Sequence, residues 1–255
     1  MTRQARDAAL AVFARFASAV SLLSALGSCA TMPAEDPHVA AERNQHIIAS
    51  PIRTDQDRRL DAARHPAEFL AFTQVKPGMQ VLDVSAGAGY TSQLLALAVG
   101  PNGMVWAQRP QPGAALTKRL SDQPQANLAV VIRPFEEPVP DLAPPLDLIT
   151  LILNYHDLTY LPVDRAKMNR RLFAALKPGG HFVVIDHSAK AGADIAVGKS
   201  LHRIDEAIVL TEVEQAGFVL DAESDFWRDP ADTREQSSSD AKIPTDKFAL
   251  RFVKR

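Results

Sequence analysis

Cysteine is almost absent: Cys29 is the only one in 255 residues. One thiol excludes an internal disulfide framework and any multi-cysteine zinc site. An excess of positive charge is also missing, since 28 Lys and Arg stand against 30 Asp and Glu, a formal net charge of −2. That balance gives no electrostatic footprint for nucleic acid, and none is expected as a partner. There are no internal repeats. The apolar content of 46% can build a real core, and 18 prolines imply many punctuated loops. The length suits one α/β domain with extras better than two full domains.

The N-terminus reads as an export signal. Arg3, Arg6 and Arg15 give a basic start, offset by Asp7, and Phe16 to Ser28 is an uncharged stretch of 13 residues. Such a stretch is long enough for the apolar region of a signal peptide and too short to span a bilayer as a stable helix. It ends in Leu26-Gly27-Ser28-Cys29. A Leu, two small residues and a Cys resemble a bacterial lipoprotein processing site. By that resemblance residues 1–29 form a lipoprotein-type signal, Cys29 is lipidated, and the protein is anchored on the periplasmic side of a membrane. An amphipathic helix with a stray cysteine, or a start at Met32 giving a cytoplasmic protein, are the other readings. Removing residues 1–28 takes away three arginines and one aspartate, which moves the net charge from −2 to −4. Residues 30–78 are expected to form a tether and a helical cap. Short helices are expected over 38–49, over 55–64 with Thr54 or Asp55 as N-cap, and from Pro66 to about Gln74.

From Met79 onward strands and helices alternate, which predicts a parallel sheet with crossover helices. Strands are expected at 79–84, 103–108, 127–132, 146–152 and 181–186, with two more at 218–224 and 246–253. Helices are expected at about 88–99, 112–120, 163–176 and 203–216. The stretch 81–90, Val-Leu-Asp-Val-Ser-Ala-Gly-Ala-Gly-Tyr, is the centre of the pattern. A strand, a small-residue turn and a helix start bring backbone N–H groups to one point, where a polar or anionic ligand end can sit. The spacing Asp-x-Ser-x-Gly-x-Gly is neither Gly-x-Gly-x-x-Gly nor a P-loop. Lys177-Pro178-Gly179-Gly180 reads as a helix stop and turn. The polar segment 225–245 reads as a mobile loop.

These residues carry a resemblance. The glycine motif at 81–90, Pro145–Asn154, Leu176–Asp186 with its basic-Pro-Gly-Gly turn, and Glu214-Gln215-Ala216-Gly217-Phe218 together resemble the class I S-adenosylmethionine-dependent methyltransferases over residues 79–253. More narrowly, Asn154-Tyr155-His156-Asp157 and His202-Arg203-Ile204-Asp205 are similar to an uncharacterised subgroup of bacterial predicted methyltransferases. The resemblance implies a Rossmann-like α/β domain over 79–255. Its sheet would have seven strands in the order 3-2-1-4-5-7-6, the last one antiparallel, with helices on both faces. It also implies S-adenosylmethionine as cofactor. The loop Asp83, Ser85, Gly87, Gly89 would hold its methionine end. Gln108 stands where an acidic residue usually accepts hydrogen bonds from the ribose, and Phe135 and Glu136 match the segment flanking the adenine.

Ligands of open α/β sheets bind beyond the carboxyl ends of the strands, where three groups fall: Asn154 to Asp157, Asp186 to Ser188, and His202-Arg203. Methyl transfer is an in-line displacement that needs positioning and, for a protonated acceptor, a base. His156 is the first candidate for base or acceptor-orienting group. His187 is the second, and Asn154 is expected to fix the loop or the cofactor. Asp157 is expected to cap a turn, and Arg203 to pair with Asp205 or Glu206 on a solvated face. No His-x-x-x-His spacing occurs, so no metal is expected. The leading reading is a methyltransferase acting on a small-molecule or lipid-like acceptor. The alternative is a membrane-anchored periplasmic binding protein on the same scaffold without turnover.

Overall fold

The computed structural model describes residues 36–242 and 244–255. The export signal, Cys29 and most of the tether lie outside the described residues. Residues 36–255 form one compact unit, so the helical cap is part of the domain rather than a separate body. Among the described residues, no helix is long and apolar enough to cross a membrane.

Three helices open this unit: α1 Pro37–Ile48, α2 Asp55–Arg64 and α3 Pro66–Thr73. Thr54 caps α2 in a full capping box with Asp57, each side chain taking up a backbone N–H of the other. His65 ends α2 in the left-handed region and leads directly into Pro66 at the start of α3.

The sheet contains β1 Gln80–Val84, β2 Met104–Arg109, β3 Leu128–Ile132, β4 Leu146–Ile152, β5 Leu176–His187, β6 Val219–Ser224 and β7 Lys247–Val253, in the order β3-β2-β1-β4-β5-β7-β6. β1 to β5 pair in parallel, while β7 runs antiparallel to both β5 and β6. The expected sheet is therefore observed. One difference concerns Lys177-Pro178-Gly179-Gly180, which lies inside β5 rather than before it. The pairing with β4 jumps from Leu146–Leu176 to Leu148–His181, so the four residues are taken up as a bulge. Proline, unable to donate to a ladder, is tolerated in such a bulge.

Between the strands run α4 Tyr90–Val99, α5 Ala114–Asp122, α6 Arg165–Ala175, α7 Val197–Leu201 and α8 Glu206–Glu214. Strand alternation gives each sheet face its own core. Val81, Val105 and Leu148 pack with Leu94 and Leu95 of α4 and with Phe69 and Leu70 of α3. Leu82, Val84, Ile149 and Leu151 pack on the other face with Met168 and Leu172 of α6 and with Val209 and Val213 of α8. Burying such a side chain contributes roughly 1.5–3 kcal/mol.

Two expectations about the C-terminal half are corrected. The described residues of segment 225–245 are tied to the domain: Trp227 Nε1 donates to Ala63 O at 2.8 Å, and Ser238 Oγ to His202 O at 2.8 Å. Arg203 is fully buried, not solvated. It pairs with Asp232 at 2.8 Å and donates to the carbonyls of Ser188 and Gln236. A buried guanidinium needs this many acceptors, and Asp205 is already engaged in capping α8.

Candidate active site

A cavity of about 510 Å³ opens where β1 ends, walled by Asp83, Ser85 to Ala88, Tyr90 and Thr91. Its roof is α2, through Leu60 and Arg64, and its far wall is Asn154 after β4. The turn from Ser85 to Gly89 passes through three left-handed residues, with φ of 58° at Ser85, 56° at Gly87 and 86° at Gly89. The two glycines serve different ends. A Cβ on Gly89 would stand 2.6 Å from Leu116 Cδ1 of α5, so this glycine allows close packing. A Cβ on Gly87 would meet only the Ser85 carbonyl, at 4.0 Å. Gly87 is exposed and free for the backbone to approach a ligand.

Asp83 is buried and accepts from Ser92 Oγ at 2.5 Å and Thr150 Oγ1 at 2.7 Å. Burial pushes its carboxyl up to about 6, against the pull of those two hydroxyls and of Arg64. Arg64 reaches the cavity with its guanidinium 5.6 Å over the Tyr90 ring. It has no hydrogen bond or ion pair of its own among the described residues, and burial lowers its pKa. Asn154 donates from Nδ2 to Asp157 at 2.6 Å, while its buried Oδ1 has no partner among the described residues. An orphaned buried acceptor, a cation without an anion and a carboxylate thus line one cavity. They match a zwitterionic amino-acid end, such as the methionine part of S-adenosylmethionine.

Gln108 does not reach this cavity. Its side chain is fully buried, with Oε1 accepting from Ser85 N at 2.9 Å and Nε2 donating to Arg133 O at 2.6 Å. Both ends of the amide are engaged and the side chain is fully buried, so it holds the Ser85 turn and is closed off from the cavity. Phe135 is in the core beneath β4, and Glu136 accepts from Asp164 N at 3.2 Å. Neither lines the cavity.

The expected catalytic residues converge beside Asn154. Backbone N and Nδ1 of His156 lie 2.8 and 2.7 Å from the two oxygens of buried Asp186 at the end of β5. Nε2 of the same ring lies 3.2 Å from Asp157 Oδ1. His202, on the loop after α7, brings Nδ1 to 3.5 Å from that oxygen. Burial works against a charge on His156, but the hydrogen bonds to Asp157 and Asp186 overcome it and raise the ring to about 9. The same two carboxylates fix the ring's orientation. His187 lies edge-on to it at 5.9 Å between ring centroids, and its Nδ1 is 2.8 Å from Thr245 Oγ1. Burial, reinforced by Lys247 and His156, pushes His187 down to about 3.

Arg64, Asp186 and His202 are the contributors that sequence spacing could not supply as a group. Gly198 gives the local reason for His202. A Cβ there would stand 2.7 Å from His156 O and 2.1 Å from Thr159 Oγ1. Only glycine lets α7 lie directly on the turn that carries His156.

Comparison with known proteins bears on the family and the fold. The family model described as protein-L-isoaspartate (D-aspartate) O-methyltransferase matches residues 38–219. The ubiquinone/menaquinone biosynthesis C-methyltransferase UbiE of Burkholderia multivorans is 30% identical over 135 residues, 51% of this chain and 53% of its own. That of Burkholderia orbicola is 30% identical over 149 residues, 56% and 58% of the two chains. The chain thus spans just over half the length of these curated relatives. Among solved structures, a methyltransferase dependent on S-adenosylmethionine from Aquifex aeolicus superposes with a TM-score of 0.57, at 21% identity over 87% of this chain and 100% of that one. Another from Mesorhizobium loti gives 0.57 at 15% identity, covering 76% and 99%. Those two likenesses establish the fold. With the family match running from the helical cap to β6, the chain belongs to the protein-L-isoaspartate (D-aspartate) O-methyltransferase family, within the class I methyltransferases whose cofactor is S-adenosylmethionine.

Proposed function

We propose that this protein transfers a methyl group from S-adenosylmethionine to a small-molecule or lipid-like acceptor held beside His156. The observation that carries the proposal is the cavity's complement to an amino-acid end: Arg64 for a carboxylate, with Asn154 Oδ1 and Asp83 for an ammonium. The bound cofactor supplies an activated methyl group on a sulfonium sulfur. The chain's own contribution is position. The loop Ser85 to Gly89 and Arg64 hold one partner, and the turn at Asn154 to Asp157 presents the other. His156, locked by Asp186, was the candidate base. Held by two carboxylates, it is fixed in place, so orienting the acceptor is the role its geometry favours. Tyr160 and Leu161, 39% and 40% exposed, follow that turn and offer an apolar lip. This lip supports an acceptor with apolar character, and the quinone named for the Burkholderia relatives is of that kind. The family match lies with enzymes, and the binding-only alternative finds no support in it. The N-terminal sequence supports export and attachment to the periplasmic face of a membrane through Cys29, for which mass spectrometry of the native N-terminus is the check.

Calorimetry of the full chain with S-adenosylmethionine and S-adenosylhomocysteine tests the reading. Both are expected to bind, and Arg64→Ala is expected to weaken both about tenfold or more, as for loss of a charged hydrogen bond. Methylthioadenosine, which has no carboxylate, should be unaffected by that substitution. No binding of either cofactor form by the wild-type chain up to about 1 mM would exclude the proposal.

A further inference from the structure

The geometry points to a divalent transition-metal site formed by His156 Nε2, Asp157 Oδ1 and His202 Nδ1. The three atoms lie within 4.8 Å of one another, with 3.2 Å from His156 to Asp157 and 3.5 Å from His202 to Asp157. Ligands about 2.1 Å from a metal stand about 3.0 Å apart at right angles and about 3.4 Å apart in a tetrahedron. The two distances to Asp157 already fall near that range, and an ion would draw the two ring nitrogens to within about 4.2 Å of each other. Two imidazoles and one carboxylate on one side of an ion suit zinc or ferrous iron and leave positions open on the other.

The surroundings are those of a ligand set rather than a chance contact. His156 Nδ1 is committed to the buried Asp186 carboxylate at 2.7 Å. This fixes the ring and turns Nε2 toward Asp157, as the carboxylate behind a metal-bound histidine does. The second carboxylate oxygen of Asp157 is held by Asn154 Nδ2 at 2.6 Å, which leaves Oδ1 to the two rings and to the Tyr160 hydroxyl. His202 takes a left-handed φ of 50° and Ser238 Oγ anchors its carbonyl. Its side chain is 37% exposed and that of Asp157 25%, so an ion can enter from solvent. Asn154 also walls the cofactor cavity. An ion here would face the acceptor, where it could anchor an oxygen of that molecule. That role rests on the methyltransferase reading, but metal binding does not.

The test uses the full chain after treatment with a chelator. Titration with Co²⁺ is expected to give visible d–d absorption saturating at one equivalent and abolished by Zn²⁺. His202→Ala should weaken Co²⁺ binding about a hundredfold, and Asp186→Asn about ten- to a hundredfold through the ring it orients. His202 lies at the surface, so an unchanged thermal midpoint confirms that its variant is folded even if the Asp186 variant is not. Absence of saturable absorption below about 1 mM Co²⁺ overturns the site, and so does equal affinity in His202→Ala. Calorimetry with S-adenosylmethionine on the same sample separates the two ideas. Cofactor binding without metal binding overturns this site alone. Metal binding without cofactor binding overturns the methyltransferase reading alone.

Discussion

The backbone N–H of Ser85 donates to Oε1 of Gln108 across 2.9 Å. Gln108, which stands where the resemblance implies an acidic residue, is thus the partner of the loop's first turning residue. A small residue with φ of 58° turns the loop at Ser85. The amide of Gln108 receives that turn and passes the connection to Arg133 O. Gln108→Ala leaves a buried N–H and a buried carbonyl without partners, at about 1–3 kcal/mol each. Denaturant unfolding should show that loss, and calorimetry should show weaker cofactor binding. Unchanged values in both would mean the loop is held by other contacts.

Gly87 and Gly89 should fail in different ways. A side chain on Gly89 meets Leu116 at 2.6 Å and requires a residue with φ of 86°. Gly89→Val is expected to lower stability by about 3 kcal/mol or more through overpacking and backbone strain. Gly87→Val has space around its Cβ, so its stability cost is confined to the backbone, about 1–2 kcal/mol. Its side chain projects where a ligand approaches, and cofactor binding should be abolished. Thermal unfolding and calorimetry on the two variants distinguish the pattern. Near-wild-type affinity in Gly87→Val would place the ligand elsewhere.

Helix α2 is latched over the cavity by Asp57 and Arg119, whose carboxylate and guanidinium meet at 2.7 and 2.9 Å with side chains 1% and 11% exposed. Arg119 also donates to the loop carbonyl of Ala88 at 2.8 Å. Asp57→Asn breaks a buried pair and should cost about 3 kcal/mol, with faster amide exchange along α2. Burial opposes the Asp57 charge, yet Arg119 and Thr54 hold its carboxyl down to about 2. A depressed carboxylate stabilises the fold above its unfolded value, near 4. The contribution is lost as pH falls from there through about 2. The acid limb of the stability curve should flatten in Asp57→Asn.

Asp83 has the opposite sign. Its carboxyl is raised to about 6 by burial, so the folded chain holds a proton that the unfolded chain has released above about 4. The stability this provides is complete below about 4, declines as pH rises from there, and is gone above about 6. Cofactor affinity should move the other way, increasing through pH 6 as a negative charge develops facing the ammonium and sulfonium. Calorimetry between pH 5 and 8 on the wild type and Asp83→Asn, conditions chosen to bracket that transition, is the measurement. A pH-dependent affinity that persists in the Asn variant would assign it to another group.

Much of the site's frame was legible in the sequence. Strand and helix periods, with the small-residue turn at Ser85 to Gly89, located β1, α4 and the cavity floor within one or two residues. Thr54, one of the two N-cap candidates, marked the start of α2, and the structure adds Asp57 to complete its capping box. Side-chain partners were not legible where they come from distant strands. Gln108 looked like a ribose ligand because its place at the end of β2 was right, but the direction of its amide depends on Arg133, 25 residues away. Arg203 looked solvated because Asp205 and Glu206 are its neighbours in sequence, while Asp232 arrives from a segment with no periodic signal.

The amino-acid order by itself determined which segments become strands and helices, and through the motifs the sheet order, since hydrophobic period and turn chemistry act over a few residues. Tertiary structure alone decided the chemistry at the ends of the strands. It brought Arg64 from the cap over Tyr90, and it set Asp186 behind His156 and His202 in front of it, across 30 and 46 residues of chain. Parallel crossovers gather the carboxyl ends of non-consecutive strands at one edge, so the groups that meet there are separated in sequence by whole helices and carry no shared spacing.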